Sequence, residues 1–223
     1  MKLVALASAL AAAVAAPAAA QEVPAEPAFM VADNRISVPD EGIALVIPED
    51  AVYVGATRWP LYDIVDAEQH VFVRTDEGGL VEEYWLVQFE TYFDHVDANY
   101  TYDETEPTSL EIGDRTWWTR PIFTSGRPNE VRPGSDTEMF GKIIAQAGYR
   151  MPMWLAGVRM VYMPGEDRRS EIMIIHGANL DGVATTMAER FRAGEDGVKW
   201  TDFYGPMIER ASLSFTIAPL DAE

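Results

Sequence analysis

Hydrophobic and polar residues alternate along much of the chain, which is the pattern of β-strands that bury one face. The clearest alternation covers Gln69–Thr75 and Leu80–Phe93, and these two segments are separated by Asp76-Glu77-Gly78-Gly79. The two glycines can adopt the positive φ that a tight turn requires, so the sequence predicts a β-hairpin here. A second hairpin is predicted where Val158–Met163 and Glu171–His176 flank a Pro-Gly-Glu-Asp turn.

Shorter β-rich runs occupy other parts of the sequence and are bounded by residues that favour turns. Four of them are predicted strands: Ile43–Ile47, Val52–Arg58, Leu110–Arg120 and Leu213–Ile217. Together with the two hairpins, they predict a mainly antiparallel β-sheet of about 7–9 strands.

Three segments have the residue spacing of amphipathic helices. The first, Ser135–Gly148, begins with a capping box formed by Ser135 and Glu138 and ends at a glycine suited to a helix C-terminus. The other two are Asp181–Gly194 and Phe203–Ala211. Strands joined by hairpins, with few helices, predict an α+β fold in which about three helices cover one face of the sheet.

The first twenty residues have the composition of a secretory signal peptide. Met1-Lys2 provides a positive start, Leu3–Val14 is uncharged and apolar, and Ala18-Ala19-Ala20 supplies small residues ahead of Gln21. The apolar run is shorter than the ~20 residues that cross a membrane, and no later segment approaches that length. We therefore predict an exported protein, periplasmic or extracellular, that is cleaved near Ala20-Gln21 and has no membrane span.

The sequence after this segment contains no further linker, internal repeat or low-complexity stretch. Residues 1–20 are assigned to the signal peptide, and residues 21–28 to a short flexible leader that contains two prolines. Residues 29–223 are predicted to form a single globular domain of the α+β class.

Charge and cysteine content exclude several functional classes. The 223 residues include 17 basic and 36 acidic side chains, for a net charge of −19, and no cysteine. Such an acidic protein would repel a phosphate backbone, so nucleic acid is not an expected partner. Without cysteine there is no thiolate metal site, no iron–sulfur cluster and no cysteine nucleophile. The sequence also lacks the motifs of common nucleotide enzymes and hydrolases, and no cofactor is expected.

Alternation within the first hairpin places polar and aromatic side chains at positions that share a face of each strand. We predict that these positions coincide on one side of the sheet and are partly covered by a helix or loop. The residues concerned are Glu68, His70, Tyr84, Gln88, Glu90 and Tyr92. Carboxylate, imidazole, amide and phenol groups between aromatic rings suit a small-molecule pocket. A solvated sheet face has a similar pattern, although tyrosine and phenylalanine are less expected there, so both interpretations stay open.

The second hairpin adds Arg159 and Glu171 to the ligand-binding candidates. Their opposite charges are expected to pair across neighbouring strands. The three histidines, His70, His95 and His176, lie in or beside predicted strands, but their spacing matches no metal-binding motif. We therefore predict no metal site.

Three arginines precede prolines ahead of the first predicted helix, at Arg120, Arg127 and Arg132. A basic patch beside a helix N-terminus can hold an anion. The simpler interpretation, which the sequence favours, is that each arginine pairs with a nearby surface carboxylate.

These features support two functional hypotheses. The first is a non-catalytic, exported envelope protein that binds a small molecule or another envelope component. The alternative is an extracytoplasmic hydrolase or lyase in which Glu68 or Glu90 orients His70 as a general base. The surroundings of these side chains separate the two hypotheses: a perturbed pair in a cleft favours the enzyme, and a solvated pair favours the binding protein.

Overall fold

Two antiparallel sheets dominate the computed structural model, which describes residues 26–102, 109–125, 131–180 and 200–220. The strands in these ranges are β1 (Val31–Ala32), β2 (Arg35–Val38), β3 (Ile43–Val46), β4 (Val52–Leu61), β5 (Val65–Thr75), β6 (Val81–Tyr92), β7 (Ser109–Ile112), β8 (Arg115–Ser125), β9 (Trp154–Tyr162), β10 (Ser170–Asn179) and β11 (Thr216–Pro219). Seven strands form a main sheet in the order β4-β5-β6-β10-β9-β8-β7, and four form a small sheet in the order β1-β2-β3-β11. The predicted antiparallel sheet is therefore confirmed, and the fold is mainly β.

The described residues contain two α-helices, α1 (Asp136–Gln146) and α2 (Trp200–Ser212), and a short 3-10 turn at Pro39–Glu41. The cap predicted for α1 is present, because Ser135 Oγ accepts a hydrogen bond from the Glu138 N–H at 3.3 Å. Neither α-helix has the length and apolar composition that crossing a membrane requires.

The two helices lie on opposite faces of the main sheet. Ile143 and Ile144 of α1 pack on one face, which we name the helix face. Ala211 of α2 packs, together with the small sheet, against the other face, which we name the sandwich face. The prediction of about three helices on one face is wrong for the described residues, and the predicted helix Asp181–Gly194 lies outside them. The small sheet takes the place of helices because its aliphatic side chains bury the sandwich face.

The hairpin predicted around Gly78-Gly79 joins β5 to β6 and is confirmed. The Asp76 carboxylate accepts hydrogen bonds from the N–H groups of Gly78 and Leu80, both at 2.8 Å. Gly79 has a φ of 76°, the left-handed conformation for which glycine is suited. The second predicted hairpin, between β9 and β10, is also present.

A β-bulge follows the first turn and changes the register of β6. Thr75 pairs with Val81, whereas the preceding residue, Arg74, pairs with Glu83, so Glu82 is one extra residue in β6. Because side chains alternate with a period of two, one extra residue exchanges the faces on which the rest of β6 presents its side chains.

Candidate functional site

The bulge at Glu82 divides the predicted site residues between the two faces of the main sheet. Glu68 and His70 lie on the sandwich face, where His70 is directly opposite Val87. The remaining candidates of this hairpin lie on the helix face: Tyr84, Gln88, Glu90 and Tyr92. The prediction that all of them share one side is wrong. The catalytic alternative that combined Glu90 with His70 therefore loses its geometry.

On the sandwich face, Glu68 and His70 belong to a buried hydrogen-bonded chain. His70 Nε2 lies 2.8 Å from Glu68 Oε1, and Tyr53 OH lies 3.1 Å from His70 Nδ1. The carboxylate also accepts the N–H groups of Ala28 at 2.6 Å and Phe29 at 2.9 Å. Burial raises the pKa of Glu68, but these hydrogen bonds outweigh burial and leave the pKa below its ordinary value. Glu68 therefore holds the backbone at Ala28 and Phe29 against the main sheet.

A second glutamate–histidine pair connects α2 to the main sheet. His176 Nε2 and Arg210 Nη2 each lie 2.7 Å from Glu83 Oε1, and Arg74 donates to the other oxygen. Burial raises the pKa of Glu83, but His176 and Arg210 outweigh burial and lower that pKa to about 2. This cluster holds an ionised carboxylate between Arg74 and Arg210, beside His176, and stabilises the docking of α2.

The three histidines lie apart from one another. His70 and His176 are buried in different hydrogen-bonded clusters, and His95 is exposed, with its ring stacked on Phe93. Within the described ranges, no group of three or more histidine, aspartate or glutamate side chains is arranged to hold a metal ion.

The helix face carries a chain of buried polar side chains. Gln69 Nε2 donates to Gln88 Oε1 at 2.5 Å, and Gln88 Nε2 donates to Glu90 Oε1. Tyr100 OH donates to the other oxygen of Glu90 at 2.8 Å, and the Tyr92 ring stacks on Tyr100 with centroids 4.6 Å apart. The chain therefore links β5 and β6 to the loop that follows β6.

Two buried carboxyl groups are neighbours on this face, because Glu90 of β6 lies directly opposite Glu171 of β10. Tyr102 OH donates to Glu171 Oε2, and Arg159 Nη2 lies 3.2 Å from Glu171 Oε1. The contact between Arg159 and Glu171 that their charges suggested is thus present. Burial, and then the charge of Glu171, raises the pKa of Glu90 to about 7, and burial raises the pKa of Glu171 as well.

An apolar cleft of about 520 Å³ lies between α1 and the helix face. The side chains that line it include Tyr84, Leu86, Phe140, Met151, Leu155 and Met173. Charged residues of α1, among them Asp136, Glu138 and Lys142, also line it. Tyr84 is the predicted site residue that reaches this cleft, and its ring packs directly on Gly177 and tilts against Phe140 at 5.1 Å.

A smaller cleft of about 220 Å³ lies on the same face over β8 and β9. Tyr102, Trp118, Arg120 and Arg159 line it, and Tyr102 and Trp118 stack with ring centroids 6.4 Å apart. Arg159 is the predicted site residue that lines this cleft. Its Nη2 donates to Tyr102 OH at 3.2 Å as well as to Glu171 Oε1 at 3.2 Å.

Comparison of the chain with family models, with curated proteins and with solved structures finds no match. The function is therefore inferred from the site itself, because a fold alone does not specify one. The helix face offers a large apolar cleft, a smaller polar cleft and a buried carboxyl pair that contacts the smaller cleft through Tyr102.

Sequence reasoning missed Tyr100, Tyr102 and Trp118, and it interpreted Arg120 as a surface ion-pair partner. Alternation along β8 contains part of the signal, because Trp118 and Arg120 are two residues apart and must share a face. The missing information is that β8 pairs with β9, since α1 separates these strands in the chain.

Proposed function

We propose that the protein is a small-molecule-binding domain whose binding site is the apolar cleft between α1 and the helix face. The observation that carries this proposal is the cleft itself, with a volume of about 520 Å³. Ligand pockets are typically about 300–1,000 Å³, with mostly apolar walls and a few polar groups. Aliphatic and aromatic walls open to water cost free energy, and a bound apolar molecule removes that cost.

Helix α1, which lines one side of the cleft, is fixed in place. This favours binding, because the protein loses little conformational entropy when a ligand enters. At the start of α1, Trp59 Nε1 donates to the Gly134 carbonyl at 3.0 Å. Beyond its end, the Arg150 N–H donates to the Gly79 carbonyl and the Val81 N–H donates to the Arg150 carbonyl, both at 2.9 Å. Hydrogen bonds to the main sheet therefore hold α1 at both ends.

We place this binding in the cell envelope, because residues 1–20 have the sequence of a signal peptide. That segment lies outside the described residues. A hydrolase or lyase is not part of the proposal. Glu90 and His70 lie on opposite faces of the main sheet, and the Glu68–His70 pair, although hydrogen-bonded, is buried and lines neither cleft.

A neutral fluorescent probe, N-phenyl-1-naphthylamine, should bind the purified protein at one saturable site per chain. Ala145 lines the cleft from α1, so the indole of Ala145→Trp should occupy the cleft and weaken binding by about tenfold or more. Fluorescence titration measures this change. The matched control is Gln146→Trp, which adds the same bulk at the next position of α1, a residue that does not line the cleft.

The control should bind the probe as the wild type does, and both variants should keep the wild-type melting temperature within a few degrees. Equal affinity of Ala145→Trp and wild type, or the absence of saturable binding to the wild type, would show that this cleft is not the site.

A further inference from the structure

Two arginines lie directly opposite each other on the helix face. Arg120 of β8 pairs in register with Arg159 of β9, and both line the smaller cleft. Like charges opposite one another on neighbouring strands destabilise a sheet. Glu171 is the carboxylate partner of Arg159, whereas Arg120 has no such partner among the described residues, although the protein has 36 acidic residues and a net charge of −19.

The two guanidinium groups have hydrogen-bonding capacity that the described residues do not use. Arg159 Nη2 contacts Glu171 and Tyr102, but its buried Nε has no hydrogen-bond partner within those residues. Arg120 is exposed and makes no ion pair with any residue in the described ranges. A guanidinium presents several N–H donors in a planar fork whose geometry matches a carboxylate.

The arginine pair adjoins the apolar cleft. Ile122 follows Arg120 by two residues on the same face of β8 and lines the apolar cleft, so the two side chains are ~7 Å apart along the strand. Gly157 lies opposite Ile122 on β9 and places no side chain between the two clefts. Leu155, two residues further along β9, continues the apolar wall.

Charge is distributed unequally along this path. Asp136 and Glu138 line the apolar cleft from the start of α1, and Glu138 is paired with Lys142 at 3.0 Å. Arg120 and Arg159 lie on the opposite side, over β8 and β9. Because Lys142 offsets Glu138, Asp136 leaves the α1 side with a net negative charge, whereas Arg120 leaves the other side positive, and this difference favours one orientation of a bound anion.

We propose that the ligand is an amphipathic anion, a hydrocarbon-chain carboxylate whose headgroup binds Arg120 and Arg159 and whose chain fills the apolar cleft. This inference rests on the proposed function and names its ligand class. Tyr102 and Trp118 flank the headgroup, and the Tyr102 ring lies 5.8 Å below the Arg159 guanidinium. The ionic contact supplies orientation, and burial of the chain supplies most of the affinity.

Competition with N-phenyl-1-naphthylamine tests this inference with two ligands that differ only in the headgroup, decanoate and 1-decanol, each below its aggregation concentration. Decanoate should displace the probe from the wild-type protein at a concentration about tenfold lower than decanol. Arg120→Gln should remove most of that difference by weakening decanoate and leaving decanol unchanged. Arg35→Gln, in the small sheet, makes the same change in net charge and should have no effect.

The outcomes separate the two proposals. If the probe binds but decanoate and decanol compete equally, the headgroup assignment is wrong and the proposed function stands. If Arg120→Gln weakens both ligands alike, Arg120 supports the shape of the cleft and the headgroup assignment is again wrong. If the probe itself does not bind, the proposed function fails and this inference fails with it.

Discussion

Replacing Glu90 with glutamine should stabilise the folded protein at pH 8 by about 2–3 kcal/mol and leave its stability nearly unchanged at pH 5. Burial and the neighbouring Glu171 raise the pKa of Glu90 to about 7, from an ordinary value of 4.5. The folded protein therefore binds this proton more tightly than the unfolded chain does. The resulting stabilisation is complete below pH 4.5 and is lost as the pH rises through 7.

Above pH 7 Glu90 of the wild type is a buried, ionised carboxylate opposite Glu171 on the adjacent strand, and glutamine removes this charge. Glutamine keeps the hydrogen bonds, because its oxygen can accept from Gln88 and its amide can donate to Tyr100. Urea unfolding at pH 5 and pH 8 measures the effect, which corresponds to an increase in melting temperature of about 5–10 °C at pH 8.

Glu82→Gln is the matched control, since Glu82 is an exposed residue of the same strand. Its effect should be within about 0.5 kcal/mol at both pH values. A Glu90→Gln variant that is less stable than the wild type at pH 8 would contradict the repulsion between Glu90 and Glu171.

Gly157→Ala should destabilise the protein by about 3 kcal/mol, at the upper end of the range for overpacked cores. A Cβ atom at this position would lie 2.3 Å from the His176 carbonyl oxygen and 2.8 Å from Gly177 Cα. These are backbone atoms of β10, so β9 and β10 must separate to admit the methyl group. Urea unfolding measures the loss, and a melting temperature lower by about 6–12 °C accompanies it.

Gly141→Ala is the opposite case with the same chemical change. Gly141 lies in α1, and a Cβ atom there would have no other atom within 4 Å. Alanine is the better helix former, so this variant should gain up to about 1 kcal/mol. A loss of less than about 1 kcal/mol in Gly157→Ala would mean that the close approach of the two strands relaxes without cost.

Local signals predicted the elements well. Asp76, Gly78 and Gly79 specify their turn by contacts between residues close in the chain. Ser135 and Glu138 specify the start of α1 in the same way. The small sheet could not be predicted, because β11 pairs with β3 across most of the chain. That pairing is decided by burial of the sandwich face, and short apolar runs do not encode their partners.

The prediction that the site residues share one face of the sheet failed because of one residue, Glu82, which is the extra residue of the bulge. Had β6 paired with β5 without the bulge, even-numbered residues of both strands would share a face, as the alternation suggests. The two consecutive glutamates Glu82 and Glu83 interrupt the alternation, and they are the feature of the sequence that corresponds to the bulge. Tyr100 and Tyr102, which donate to Glu90 and Glu171, lie in a loop. Arg120 lies in β8, which pairs with β9 although α1 separates the two strands in the chain. Periodicity therefore predicts the position of none of these three residues.

The bulge also gives the folding chain a way to reject a misaligned hairpin. Hairpins form in about 1–10 μs, so β5 and β6 sample neighbouring registers early. In the unbulged register Gln88 and Glu90 would enter the sandwich core, and Trp85 would turn away from it. Burying these groups without partners costs several kcal/mol, so the slipped hairpin does not persist. Gln88 and Glu90 thus disfavour the misaligned register, and we expect that replacing both with leucine would reduce the free-energy difference between the two alignments.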